Sequence, residues 1–127
     1  MGMPTVIAAE EGCPFCQKIL DGSAEQIGMS GVYHFEPLNP VTPGHRLFIP
    51  AFHYTDAVDA TVAAGAVFEW VSWWIPRNNP DEDFNLLTSR GDAATQTIRH
   101  FHVHYVPRRP GDGLALPWTN QQTGGTR

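Results

Sequence analysis

The segment IRHFHVHYVPRR, residues 98–109, sets His100, His102 and His104 on alternate residues, with Phe101 and Val103 between them and Tyr105 after. A repeat of two belongs to a β-strand, in which successive side chains point to opposite faces. Residues 96–106 are therefore predicted as a strand with three imidazoles on one face and Phe101, Val103 and Tyr105 on the other, facing a core. This assignment constrains the chain most, because it fixes at once a sheet, a buried face and a row of titratable groups. A solvated strand face would more often carry Thr, Lys or Glu, so three histidines in register, half of the six in the chain, point to chemistry.

Two kinds of chemistry fit the row. Metal binding is limited by geometry: at about 3.3 Å rise per residue, neighbours in the row stand roughly 6.5–7 Å apart and the outer two roughly 13 Å apart. With Zn–N bonds of about 2.0–2.1 Å, adjacent rings can share an ion, but the outer pair cannot on a straight strand. Nucleophilic catalysis gives each ring its own task. A neutral imidazole attacks well and, once phosphorylated and protonated, leaves well near neutral pH.

The rest of the chain supplies a frame for such a site. Residues 13–20, CPFCQKIL, read as a C-x-x-C turn running into a short helix, and residues 31–38, 45–50 and 84–90 as strands; His34 is a strand residue. Residues 55–75 read as one long helix capped by Thr55 or Asp56, with Val58, Val62, Ala66, Val67, Trp70, Val71 and Trp74 forming an apolar stripe and Pro76 ending it. Residues 39–44, NPVTPG, are a turn, and 76–83 a polar connection. Strands on both sides of one amphipathic helix, with short late connections, make an α+β fold with an antiparallel sheet.

Composition narrows the role. The 127 residues can bury a core without disulfides, and a charged fraction of 17% against 42% hydrophobic suits a folded protein. A net charge of −5 argues against coating nucleic acid or lying on a membrane surface. The opening MGMPTVIAAEEG lacks the basic and apolar regions of a secretory signal, so a cytoplasmic protein is expected. In that reducing setting Cys13 and Cys16 read as a metal or redox pair rather than a structural disulfide.

Taken together, these segments resemble the histidine triad (HIT) superfamily, whose motif alternates three histidines with apolar residues. It stands here as His100-Phe-His102-Val-His104-Tyr-Val106. The preceding SRGDAATQTIR resembles the family's glycine-containing loop and Gln-Thr step. NPVTPGHRLFIPAFH resembles its Pro-x-x-Pro-Gly-His strand with a following histidine, and CPFCQKIL its frequent opening. The resemblance runs from Cys13 to about Arg108. It implies one HIT-like domain over residues 1–127, with 1–12 a loose lead-in and 107–127 an irregular tail. The implied sheet has about five antiparallel strands, with one long helix and a short N-terminal helix.

The resemblance also assigns roles. His102 is implied as the nucleophile attacking the α-phosphorus of a nucleotide, oriented by a carbonyl near His100 that accepts from its other ring nitrogen. His104 contacts phosphate oxygens. Gln96, Thr97, His45 and Ser89 line the substrate site, and His100 completes the catalytic row. Cys13, Cys16, His53 and His100 resemble the ligands of the zinc-bearing, Hint-like branch, where zinc is structural and the chemistry needs no metal. The implied activity is nucleotidyl hydrolysis or transfer on phosphoramidates, nucleotide adducts or dinucleoside polyphosphates, in a homodimer. Two departures bear on it: Pro37, beside Glu36, replaces the family's ribose-binding Asp, and Ser89 replaces a loop Asn. They motivate the alternative of a catalytically weak nucleotide-binding module.

Overall fold

The computed structural model of the protein describes residues 9–119. In chain order the elements are α1 (Pro14–Leu20), β1 (Glu25–Gln26), β2 (Val32–Phe35), β3 (Arg46–Pro50), α2 (Ala57–Ala60), α3 (Val62–Asn78), β4 (Asp83–Leu87) and β5 (Val103–Arg108), with a 3₁₀ turn at Asp92–Ala94 between the last two. The strands form one antiparallel sheet in the order β1-β2-β3-β5-β4. The expected α+β architecture with five strands is the one observed. Among the described residues no helix is long and apolar enough to cross a membrane.

Strand alternation divides the interior into two cores. Phe48, Phe101, Val103 and Tyr105 point to one face and pack with Val32 against Val67, Val71 and Ile75 of α3. Leu47 and Ile49 point to the other, joining Phe35 and the first turn of α1 through Phe15 and Cys16. The predicted split of residues 100–105 is thus realised, with the apolar residues on the helix side.

The strands expected over 31–38 and 84–90 are shorter, at Val32–Phe35 and Asp83–Leu87, and three further differences from expectation have a visible reason. The helix expected over 55–75 is broken at Thr61, whose φ of 48° is left-handed and interrupts the helical path between Ala60 and Val62. Asp56 caps α2, its Oδ1 accepting from the N–H groups of Val58 and Asp59 at 3.0 Å. The break shifts the phase, so Val58 and Val62 leave the apolar stripe and stand 62% and 86% exposed. Pro76 does not end α3. It lies in the last turn, lacking only its own N–H, and the helix closes at Asn78 with the Asn79 N–H on the Ile75 carbonyl at 2.7 Å.

The third difference concerns the histidine row. The strand expected over 96–106 begins at Val103 and takes in Pro107 and Arg108, which were expected in the tail. Its neighbours set this limit: β4 reaches only to Leu87, opposite His104, and β3 pairs no farther than Phe48, opposite Val103. Upstream the backbone turns to other partners, with the Phe101 N–H on the Tyr54 carbonyl at 2.5 Å. His100 and His102 therefore precede the ladder, and His100 is free to turn toward α1.

Candidate active site and metal centre

The His100 imidazole is fully buried and meets the C-x-x-C turn. Its Nδ1 lies 3.5 Å from both Cys13 Sγ and Cys16 Sγ, while Cys16 Sγ lies 3.4 Å from His53 Nδ1. All four donor atoms fall within 4.8 Å of one another. Zinc held at about 2.3 Å from sulfur and about 2.05 Å from nitrogen has a tetrahedral S···N edge of about 3.6 Å, so these separations fit that ion.

The surroundings fit it as well. His100 Nε2 lies 3.2 Å from the Pro50 carbonyl, which can only accept, so Nε2 carries the proton and Nδ1 turns a lone pair to the thiols. Backbone N–H groups of Cys16 and Glu10 donate to Cys13 Sγ and Cys16 Sγ at 3.4 and 3.3 Å. Burial pushes the Cys16 thiol up to about 11 and the His100 imidazole down to about 4, so in the bare protein both resist charge. A divalent cation among them would favour the thiolate. Cys13 and His53 also line an open cleft of about 530 Å3 that leads to the cluster from solvent.

His102 sits between this cluster and the sheet, 7% exposed. Its Nδ1 lies 2.7 Å from the His100 carbonyl and must donate to it, which leaves Nε2 with the lone pair. Phe15, on the first turn of α1, packs edge-on against the ring at a centroid distance of 5.1 Å and an angle of 87°. Burial lowers the proton affinity of His102, which keeps the imidazole neutral. The outcome is a neutral, oriented ring with an available nitrogen, the condition for nucleophilic attack.

The His104 ring is 5.0 Å from that of His102 and 3.0 Å, Nδ1 to Nε2, from His45. Both line a cavity of about 280 Å3 with Ser89, Thr95, Asn85 and Arg108. Burial depresses His104 to about 4, assisted by His102 and His45, and burial depresses His45 too. Ser89, His45 and His104 thus line one cavity, with the His104 ring beside His102.

Gln96 and Thr97 do not line it. Gln96 is 4% exposed and its amide is fully engaged within the loop. Oε1 accepts from the Gly91 N–H and the Arg99 guanidinium, and Nε2 donates to the carbonyls of Thr55 and Ile98. It fastens the 91–99 loop to residue 55 instead of facing the cavity. Thr97 opens onto the other cleft, beside Cys13 and His53. Conversely, Phe15, Thr95, Asn85 and Arg108 were not singled out from the sequence. Asn85 comes near His104 only through the β4–β5 register, which no local pattern encodes. Phe15 did carry a signal, its place between the two cysteines.

Comparison with known proteins agrees with this geometry. The family model described as the HIT domain matches residues 29–111. The Bacillus subtilis protein named "Protein hit" is 33% identical over 116 residues, covering 85% of this chain and 79% of its own length. A protein of Candida albicans named adenosine 5'-monophosphoramidase is 27% identical over 129 residues, with 92% and 84% covered. Among solved structures, a HIT family protein from Bacillus anthracis superposes with a TM-score of 0.70 at 32% identity, covering 91% of this chain and 87% of the other. A zinc-bound histidine triad protein from Mycobacterium smegmatis gives 0.66 at 31%, with 83% and 81% covered. With two cysteines and two histidines gathered as a donor set and the triad beside them, the chain belongs to the histidine triad (HIT) family, on its zinc-bearing branch.

Proposed function

We propose that the protein is a nucleotidyl hydrolase or transferase that works through a covalent nucleotidyl-histidine on His102. The observation that carries this reading is the hydrogen bond from His102 Nδ1–H to the His100 carbonyl, which leaves Nε2 as an unprotonated nucleophile. Nε2 attacks the α-phosphorus, the bond from phosphorus to the leaving group breaks, and its electron pair departs with that group, an amine taking up a proton from solvent as it leaves. The adduct retains its Nδ1 proton and so is an N-phosphorylated imidazolium, itself a good leaving group. Water, or another acceptor, then displaces His102 and gives up its proton to solvent. His104 and Ser89, lining the cavity, would donate to the phosphoryl oxygens as charge builds there.

Relatives support the reaction class. Proteins of Candida albicans and Saccharomyces cerevisiae that resemble this chain are named adenosine 5'-monophosphoramidases, and one of Arabidopsis thaliana, 35% identical over 80 residues, an adenylylsulfatase. The substrates proposed are accordingly nucleoside phosphoramidates and mixed nucleotide anhydrides. Zinc at Cys13, Cys16, His53 and His100 has a structural part in this reading: it secures the residue whose carbonyl aims His102. A panel of adenosine phosphoramidate, adenylyl sulfate and dinucleoside polyphosphates tests the function. Turnover that His102→Asn abolishes while thermal unfolding is preserved supports it; undiminished turnover in that variant refutes it.

A further inference from the structure

His45 sits one residue after the NPVTPG turn, and its ring is bonded at both nitrogens. The Val41 backbone N–H donates to His45 Nδ1 at 3.1 Å. A nitrogen that accepts a hydrogen bond carries no proton, so the single proton of the neutral ring is on Nε2. That Nε2 lies 3.0 Å from His104 Nδ1, and therefore donates to it. His104 in turn must carry its proton on Nε2, where among the described residues no partner is bonded. From this chain of bonds we infer that His45 is a positioning residue which, anchored by the Val41 N–H, holds His104 in the Nε2–H tautomer and so presents a hydrogen-bond donor beside His102.

The origin of the chain is what gives it direction. A backbone N–H neither titrates nor reverses, so the polarity it sets passes through both rings. The turn that bears it is fastened: the Arg109 guanidinium donates to Thr42 Oγ1 at 2.9 Å and to the Pro43 carbonyl at 3.2 Å, and the His45 N–H closes onto the Thr42 carbonyl at 3.1 Å. The two neighbouring triad rings then differ in kind. His102, bonded through Nδ1–H to a carbonyl, offers a lone pair at Nε2; His104, bonded at Nδ1 by a donor, offers a proton at Nε2. One ring suits attack on phosphorus and the other suits the oxygens that gain charge. This assignment deepens the proposed function and rests on it only for its catalytic meaning.

The test is imidazole nitrogen NMR on zinc-loaded, histidine-labelled protein, with rings assigned by single substitutions. In the wild type, His102 is expected to be protonated at Nδ1, and His45 and His104 at Nε2. His45→Gln keeps one acceptor and one donor and is expected to retain the His104 tautomer. His45→Glu offers only acceptors and is expected to move the His104 proton to Nδ1, with kcat down by about a hundredfold or more. A wild-type His104 protonated at Nδ1, or a His104 unchanged in His45→Glu, overturns the inference. Should His45→Glu not fold, the wild-type and His45→Gln spectra decide. If the wild-type tautomers are as assigned but no nucleotide is turned over, the proposed function fails while this assignment stands.

Discussion

His34 provides a titration remote from the site, and its consequence for stability can be worked through. The residue is 5% exposed, on β2, where its ring stacks on Phe48 at 5.1 Å and meets Trp74 at 5.3 Å. Nδ1 accepts from Arg46 Nε at 2.8 Å, and Nε2 faces Glu25 Oε1 at 3.4 Å. Burial, with the Arg46 charge adding to it, holds the imidazole at about 4, against an ordinary value of 6.5; Glu25 pulls the other way. Above pH 6.5 both folded and unfolded chains keep this ring neutral, so no proton-linked penalty exists. As pH falls from there toward 4, the unfolded chain takes up a proton that the folded one resists, and stability is lost. The loss from this residue is about 2 kcal/mol at pH 5 and about 3 kcal/mol once pH is below both values. Urea unfolding of wild type and His34→Gln near pH 7.5 and near pH 5 isolates it, because the other titrating groups cancel between the two proteins. The wild type is expected to lose about 2 kcal/mol more than the variant over that interval. Equal losses would refute the reasoning.

Two further perturbations follow from the frame around the site. Cys16→Ser removes one of two sulfur donors, so elemental analysis is expected to find sub-stoichiometric zinc, with unfolding free energy down by on the order of 3 kcal/mol at saturating metal. Full zinc content in that variant would exclude the four-residue site. Gly44→Ala is strained twice: φ is +90° and an added Cβ would stand 3.1 Å from Pro107 Cγ. A loss of about 1–3 kcal/mol is expected in denaturant unfolding, and an unchanged midpoint would show that the turn yields freely.

Most of the fold was legible because hydrophobic period and turn chemistry are local. The split of Phe101, Val103 and Tyr105 from the histidines holds even though residues 96–102 are not in the ladder, since alternation survives in extended chain. The limits of β5 were not legible, because they depend on where β3 and β4 run out. The broken helix was not either: Thr61 in a left-handed conformation has no sequence signature comparable to glycine. The metal donors, spread over three separate segments, were implied by the family resemblance, and the fold gathers them. Gln96 marks the opposite case. The family resemblance implies a substrate contact there, and in the fold its four hydrogen bonds hold a loop, a role visible only when its partners are known.

The central claim is that His102 Nε2 forms a bond to phosphorus. Rapid mixing with adenosine phosphoramidate or adenylyl sulfate, quenching in denaturant at neutral to alkaline pH, and intact-mass measurement with peptide mapping test it directly. The account predicts one adenylyl group per chain within residues 98–109, on His102, formed and lost at rates that sustain turnover and absent in His102→Asn. Turnover with no adduct on this millisecond-to-second scale, or an adduct on another residue, would contradict it.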